Sequence, residues 1–158
     1  MTGAWPYARV LSVYPCRLGF AYAVLERKDR LVDWDVAKLG VDTDEEFRDR
    51  LQALIEKYQP RLVAFEDCTS GRRSEKTRAR IEAGLGLAKY LDLRTTLISP
   101  GETRRALDLS LRATKHDVAG CVARHFPELA RKTPKQTIWQ RDPRMNLFDA
   151  VALCFAAA

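Results

Sequence analysis

The stretch DPRMNLFDAVALCF, residues 142–155, is apolar on nearly every side when wound as a helix, which predicts a buried element. It also carries an acid, Asp149, in the middle of the apolar run. An ionised carboxylate in such a place is costly unless it is neutralised, paired or bound to a cation. We therefore expect Asp149 to have a partner: a cation, a shared proton, an arginine or a set of backbone N–H groups.

Length and composition predict one domain spanning residues 1–158. The chain is 46% hydrophobic and 30% charged, which supplies a core and excludes a membrane protein. No window holds the unbroken apolar run of a membrane span, and the start has no basic region followed by an apolar stretch, so we expect a cytoplasmic protein. The four cysteines are scattered without Cys-x-x-Cys spacing, and neither a zinc site nor a disulfide framework is expected.

Charge is distributed unevenly along the chain. Residues 1–67 hold 10 Lys and Arg against 12 Asp and Glu, whereas residues 68–158 hold 17 against 9. A net charge of +6 alone is ordinary for a solvated surface, but its concentration in one half favours a polyanionic partner such as nucleic acid.

The first third of the sequence predicts a three-stranded antiparallel meander over residues 8–39, since β-branched and aromatic residues alternate with polar turns. In its third strand Val32, Trp34 and Val36 alternate with Asp33 and Asp35, so we expect the two aspartates to face water.

Helices alternate with strands in the remainder, which predicts an α/β layout around one mixed sheet. Thr43 and Glu46 have the spacing of a capping box, and Ser99, Pro100 and Glu102 form a second helix start. The predicted elements are a helix from 43 to 59, a strand at 61–67, a basic loop and helix at 71–94, a strand at 95–98, a short helix from 100, a helix at 114–126, and a long basic loop at 127–143.

Two of these segments have a specific resemblance. LVAFE, residues 62–66, is a strand ending in Glu66, and NLFDAVAL, residues 146–153, is a helix carrying Asp149. With the order of elements, they resemble the RuvC-like Holliday junction resolvases of the ribonuclease H-like fold. The resemblance covers nearly the whole chain and implies a mixed five-stranded sheet, three antiparallel strands first, flanked by helices. It also implies carboxylates around Mg²⁺ or Mn²⁺, action on branched DNA and a homodimer.

The match to the family's acidic site is incomplete. Tyr14 stands where the family's first strand has an Asp, and Asn146 stands where its last helix has the first of two acids. Glu66 and Asp149 remain, and Asp67 is a neighbouring acid and a candidate to compensate for a missing one. Asp142 is another such acid, although an Asp followed by Pro143 is also a helix cap.

Two-metal phosphodiester hydrolysis needs several carboxylates, because they hold the two ions at the attacking and leaving oxygens. A phenol with a reference pKa of about 10 cannot replace a bridging carboxylate at neutral pH. Asn146 would offer a neutral oxygen to a metal held by Glu66 and Asp149, and such a site would be weak. Tyr14 itself is open to three interpretations: a plain strand-end aromatic, a base-stacking ring, or a plug in the metal site.

Basic residues cluster in loops and helix starts, where they would contact phosphates without reading the base sequence. The predicted contacts are Arg72, Arg73, Lys76, Arg78, Arg80, Lys115, Lys132 and Lys135.

Three functional hypotheses remain open on the sequence. The first is a metal-dependent, structure-selective endonuclease for branched nucleic acid, impaired at Tyr14 and Asn146. The second is a non-catalytic nucleic-acid-binding module with the same fold. The third and weakest is a structural partner protein that binds no nucleic acid.

Overall fold

A computed structural model describes residues 8–68, 74–132 and 144–158, apart from the side chains of 130–132 and 144. The strands are β1 (Val10–Cys16), β2 (Gly19–Arg27), β3 (Arg30–Lys38), β4 (Leu62–Glu66) and β5 (Arg94–Ile98). The helices are α1 (Asp44–Tyr58), α2 (Glu75–Tyr90), α3 (Pro100–Ala106), α4 (Lys115–His125) and α5 (Arg144–Ala157), with a 3-10 helix at Pro127–Lys132.

The five strands form one mixed sheet in the order β3-β2-β1-β4-β5. The β1–β2 and β2–β3 pairs are antiparallel, whereas β4 runs parallel to both β1 and β5. The predicted mixed sheet with three antiparallel strands first is therefore confirmed.

Helices cover both faces of the sheet, because alternate residues of the central strands are buried on opposite sides. Leu11 and Val13 of β1 pack with Val63 and Phe65 of β4 in the cluster that includes α1 and α2. On the other face, α4 and α5 cover the sheet with a second large cluster that includes Phe148 and other α5 residues.

Helix α5 lies against β1 and β2, as its apolar composition predicts. Ser12 is fully buried in β1, and its hydroxyl donates a 2.6 Å hydrogen bond to the carbonyl oxygen of Ala150. This bond fixes α5 along the strand, because the Ser12 hydroxyl has no access to water.

One detail of the meander differs from the prediction. A register shift between β2 and β3 breaks the alternation, so that Val32 and Trp34 pack on opposite faces. Asp35 is exposed as expected, but Asp33 is half-buried and accepts hydrogen bonds from the hydroxyls of Tyr22, at 3.0 Å, and Tyr58. The expectation that Asp33 faces water is wrong, because Tyr58 at the end of α1 reaches its carboxylate.

The predicted loop at 127–143 begins with the 3-10 helix, and residues 133–143 lie outside the described part of the chain. Among the described residues, no helix is long and apolar enough to cross a membrane.

Candidate functional site

The topology of the sheet places Tyr14 beside Glu66. Strands β1 and β4 are parallel neighbours, and Val13 is paired with Phe65, so the next residue of each strand lies at the same edge. Both side chains also lie on the α5 face, because Leu11, Val13, Val63 and Phe65 occupy the opposite one. The carboxyl ends of the strands therefore present a phenol and a carboxylate to the final helix.

Helix α5 contributes Asp149 to the same place. Tyr14, Glu66 and Asp149 line a small cavity of about 120 Å³. The sequence predicted that Asp149 and Glu66 would meet at the end of the central strand, and they do share this cavity. Its other lining residues are Pro100, Thr103, Arg104, Lys115, Val118, Ala152 and Leu153.

Lys115 is the described residue that forms an ion pair with Asp149. Its Nζ lies 3.3 Å from Asp149 Oδ2 and 3.5 Å from the hydroxyl oxygen of Tyr14. The ammonium also lies 5.9 Å from the centroid of the Tyr14 ring. Of the partners that the sequence left open for Asp149, the structure supplies a protein cation.

The N-terminus of α4 positions Lys115. Thr114 caps this helix, with its side chain accepting from the backbone N–H of Asp117 and the Asp117 carboxylate accepting from the backbone N–H of Thr114. The hydrogen bonds from Thr114 also lower the pKa of Asp117. Lys115 follows this cap directly, so a rigid capping box determines where its side chain begins.

Arg104 brings a second positive charge to the cavity. Its Nε donates to the carbonyl oxygen of Ala113 at 2.9 Å, and its Nη1 donates to that of Pro100 at 3.1 Å. The cavity is thus lined by the carboxylates of Glu66 and Asp149 and by the cationic groups of Lys115 and Arg104. Among the described lining residues, the two carboxylates and the two cationic groups are equal in number.

Tyr14 is a buried residue that packs inside the protein. Its side chain is 5% exposed and packs with Ala21 and Ala150. Base stacking on this ring, one of the interpretations of the sequence, is excluded because a base would need an open ring face. The ring fills the place where the resemblance expects an acid.

A second cavity, of about 410 Å³, adjoins the first across Tyr14, which lines both. Asn146 lines this second cavity and not the first, so it and Asp149 lie on different sides of the phenol although they are one helical turn apart. The remaining lining residues are Pro15, Cys16, Arg17, Gly19, Ser74, Lys76, Thr77 and Arg80. Burial raises the pKa of the Cys16 thiol, which Asp149 raises further, so this thiol stays protonated at neutral pH.

Arg80 was predicted to contact nucleic acid, but its side chain is only 5% exposed. Its Nη2 lies 2.5 Å from Asp42 Oδ1, and its Nε lies 2.6 Å from Asp44 Oδ1. The guanidinium also lies 5.7 Å from the ring centroid of Phe47. Arg80 therefore joins α2 to the start of α1, and we leave it out of the nucleic-acid interface. Lys76 pairs with the same Asp42 but is exposed.

The other predicted site residues are distributed as follows. Arg78 is exposed on α2, and Asp67 follows β4 but lines neither of the two cavities. The backbone of Lys132 ends the 3-10 helix, and its side chain is not among those described. Outside the described residues lie Arg72, Arg73, Lys135 and Asp142.

The donor set does not fit a two-metal centre. Among the described residues, only Glu66 and Asp149 bring carboxylates to the first cavity, and Tyr14 brings a phenol whose reference pKa is about 10. The Lys115 ammonium already lies in contact distance of Asp149, where a divalent cation would meet direct charge repulsion. Within 8–68, 74–132 and 144–158, no three His, Cys, Asp or Glu side chains converge as a metal site.

Sequence reasoning missed Arg104, Thr103 and Arg17 as cavity residues. The Ser99 capping box predicted the start of α3, but nothing in the sequence indicated that this short helix borders the end of β4. Arg17 lies in the tight turn between β1 and β2, where a basic turn residue usually indicates only solvent exposure.

Solved structures of known proteins resemble the chain. RuvC of Thermus thermophilus is 20% identical, with a TM-score of 0.69 and coverage of 94% of this chain and 92% of that one. The complex of T. thermophilus RuvC with a Holliday junction substrate gives 20% identity, a TM-score of 0.67 and coverage of 95% and 92%.

The chain has the RuvC-like form of the ribonuclease H-like fold. The yeast mitochondrial Holliday junction resolvase Ydc2 shares this RuvC-like fold at 14% identity, with a TM-score of 0.57 and coverage of 98% of this chain and 79% of that one. No family model and no curated protein matches the sequence. At these identities the likeness is one of fold.

Proposed function

We propose that this protein binds branched DNA through its RuvC-like fold and does not cleave it by metal-dependent hydrolysis. The observation that carries the proposal is the composition of the first cavity. There a phenol replaces an expected acid, and the Lys115 ammonium lies 3.3 Å from Asp149. The described residues that line this cavity do not supply the several carboxylates that two divalent ions need.

Binding is supported by the fold and by the placement of charge. One solved structure with this fold is a complex with a Holliday junction substrate. In the present chain, the basic side chains of Arg17 and Lys76 border the second cavity, and Arg78 is exposed on the same helix as Lys76. Basic groups grouped at one end of the sheet suit the backbone of a DNA strand.

Cleavage is the competing function, because Glu66 and Asp149 do share one cavity. Both functions are tested with a labelled four-way junction and a duplex of matched sequence. We expect saturable binding with preference for the junction in EDTA, and intact DNA after incubation with Mg²⁺ or Mn²⁺. Light scattering of the same complexes measures whether the protein acts as the homodimer that the resemblance implies.

Two outcomes would overturn the proposal. Metal-dependent cleavage that disappears in both Glu66→Gln and Asp149→Asn would establish an endonuclease, since a contaminating nuclease would not respond to these substitutions. Failure to bind any DNA near physiological salt would remove the binding function.

A further inference from the structure

Helix α4 separates the first cavity from a larger cleft on its other side. Lys115 and Val118 line the first cavity, whereas His116 and Gly120, four residues apart on another face of the helix, line a cleft of about 560 Å³. The other residues that line the cleft are Leu109, Ser110, Arg112, Ala113, Asp117 and Arg124. The cleft therefore shares no lining residue with the first cavity.

Arg112 extends from a turn that hydrogen bonds hold in place. The backbone N–H of Ala113 donates to the carbonyl oxygen of Ser110 at 2.9 Å, and the backbone N–H of Arg112 donates to the Ser110 hydroxyl oxygen at 3.1 Å. Arg104 secures the end of the same turn through its 2.9 Å bond to the carbonyl oxygen of Ala113. A fixed backbone therefore carries the exposed side chain of Arg112 at the cleft.

Arg124 reaches the cleft from the last turn of α4. A Cβ atom at Gly120 would lie 3.7 Å from Arg124 Nη1, so the guanidinium lies back along the helix over the glycine. Because Gly120 has no side chain, the floor of the cleft stays open beside this charge.

Within the described part of the chain, the guanidiniums of Arg112 and Arg124 form no ion pair. The cations that do form ion pairs there are Arg9, Arg27, Arg30, Lys76, Arg80 and Lys115. His116 adds a third basic group. Its Nδ1 is buried and has no partner among the described residues, so a proton on Nε2 avoids an unpaired buried N–H and makes Nε2 a donor. Asp117 brings one carboxylate, which accepts a 2.9 Å hydrogen bond from the backbone N–H of Thr114.

From this arrangement we infer that the cleft is a phosphate-binding site, which takes a backbone phosphate from one arm of a bound DNA junction. Guanidinium groups bind phosphate oxygens through paired N–H donors, and the cleft brings two of them together with an imidazole. The inference rests on the proposed binding function, because α4 borders both the first cavity and the cleft. It adds that an arm of the junction runs along the outer side of α4.

The test measures junction affinity and its salt dependence for Arg112→Gln combined with Arg124→Gln. We expect about tenfold weaker binding and a salt slope smaller in magnitude by about 0.9, because one phosphate contact is lost. Arg61→Gln combined with Arg94→Gln removes two exposed arginines outside the cleft, just before β4 and at the start of β5, and should change the affinity less than about threefold. Both double variants should keep the urea midpoint of the wild type, since all four side chains are exposed.

A pair of substitutions at Gly120 tests the cleft with both arginines in place. Gly120→Glu places a carboxylate beside the Arg124 guanidinium, where it competes with the DNA phosphate, and should weaken junction binding about tenfold. Gly120→Gln has nearly the same size without the charge and should weaken binding less than about threefold. Both variants should fold, because a Cβ at this position makes only an ordinary contact with Arg124.

Inorganic phosphate distinguishes a DNA contact from a site for a small phosphorylated ligand. The backbone amide NMR signals of Ser110, Arg112 and His116 should shift when the junction binds. Inorganic phosphate should shift them only at millimolar concentration, and the junction should displace it. Micromolar affinity for free phosphate, together with normal junction binding by the double variant of Arg112 and Arg124, would assign the cleft to a small ligand and overturn the inference.

The failures of the two proposals are distinguishable. Wild-type protein that binds no junction removes the proposed function itself. If the wild type binds, two results would overturn the role of the cleft while leaving DNA binding intact. One is a double variant of Arg112 and Arg124 that binds as well as the control double variant, and the other is an equal effect of Gly120→Glu and Gly120→Gln.

Discussion

At position 14 the chain has a buried phenol at a strand end that the resemblance assigns to a metal-binding acid. The Tyr14 ring packs with Ala21 and Ala150, and its hydroxyl lies 3.5 Å from Lys115 Nζ. An apolar contact and a cation therefore occupy the space around this position. A single substitution back to an acid meets both obstacles.

We expect Tyr14→Asp to destabilise the protein by about 3–5 kcal/mol, because it removes a buried ring and places a carboxylate near Glu66 and Asp149. It should not produce cleavage, since Lys115 still pairs with Asp149. Tyr14→Phe keeps the ring and should cost about 1 kcal/mol or less. Urea denaturation and the junction assay measure both effects. A Tyr14→Asp variant of normal stability that cleaves DNA with Mg²⁺ would restore the endonuclease hypothesis.

A second residue-scale feature is the pair of tyrosines that share one carboxylate. Burial first, and then the hydrogen bond to Asp33, raise the pKa of Tyr58 to about 12. The pKa of Tyr22 is raised for the same reasons, burial first and Asp33 second. Since an unfolded tyrosine has a pKa of about 10, these hydroxyls hold their protons more tightly in the folded protein.

The stability that these two protonated hydroxyls contribute should therefore be present in full below about pH 10 and be lost as the pH rises toward about 12. Chemical denaturation across this range should show a steeper loss for the wild type than for Tyr58→Phe. Tyr90→Phe is the matched control, because Tyr90 is 84% exposed and should leave the pH profile unchanged. Equal profiles for the wild type and Tyr58→Phe would contradict the raised pKa.

At the scale of elements, the sequence predicted the final helix but not the residue that pairs with its Asp149. The apolar run around Asp149 predicted a buried helix, and the alternation in β4 predicted that Glu66 would face a different side from Asp67. The ion pair with Lys115 depends on how α4 docks against α5, 34 residues apart in the sequence. Local patterns contain no information on such docking, so the sequence left several partners for Asp149 open.

Arg80 is a second residue whose partners depend on helix docking that the sequence does not reveal. Its place in a basic segment predicted a phosphate contact, yet Asp42 and Asp44 from the start of α1 pair with it. Sequence alone located the acidic residues correctly at a helix N-terminus but could not show that α2 passes beside them. The register shift between β2 and β3 could not be predicted for a similar reason. A β-bulge changes the face of the sheet on which side chains lie, but it leaves the apolar pattern of the sequence the same.

The contact between α2 and β4 offers an element-scale prediction. A Cβ atom at Gly84 would lie 2.5 Å from Cε1 of Phe65, whereas a Cβ at Gly86 would meet nothing within 4 Å. Gly84→Ala should lower the free energy of unfolding by about 1–3 kcal/mol through overpacking. Gly86→Ala, two residues away on the exposed side of the same helix, should raise it by about 0.5–1 kcal/mol. Effects of the same sign in urea denaturation would contradict this packing of α2 on Phe65.

On the scale of the whole molecule, the part of the chain that supplies most of the sheet differs in net charge from the remainder. The first 67 residues supply most of the sheet and carry net negative charge, whereas the remainder carries the excess of Lys and Arg. Some of that excess is used internally, as the pairs made by Arg80 and Lys115 show. The number of basic residues would therefore overestimate the DNA contacts of the proposed complex, and salt dependence is the measurement that separates the two.

We expect the logarithm of the junction association constant to fall linearly with the logarithm of salt concentration, because bound phosphates release counterions. Arg78→Gln removes an exposed charge of α2 and should reduce the magnitude of the slope by about 0.9. Arg80→Gln, on the same helix, should leave the slope unchanged and lower the free energy of unfolding by about 1–3 kcal/mol, because its pairs with Asp42 and Asp44 are lost. A reduced slope in Arg80→Gln would mean that this guanidinium reaches the DNA, and an unchanged slope in Arg78→Gln would move the DNA path away from α2.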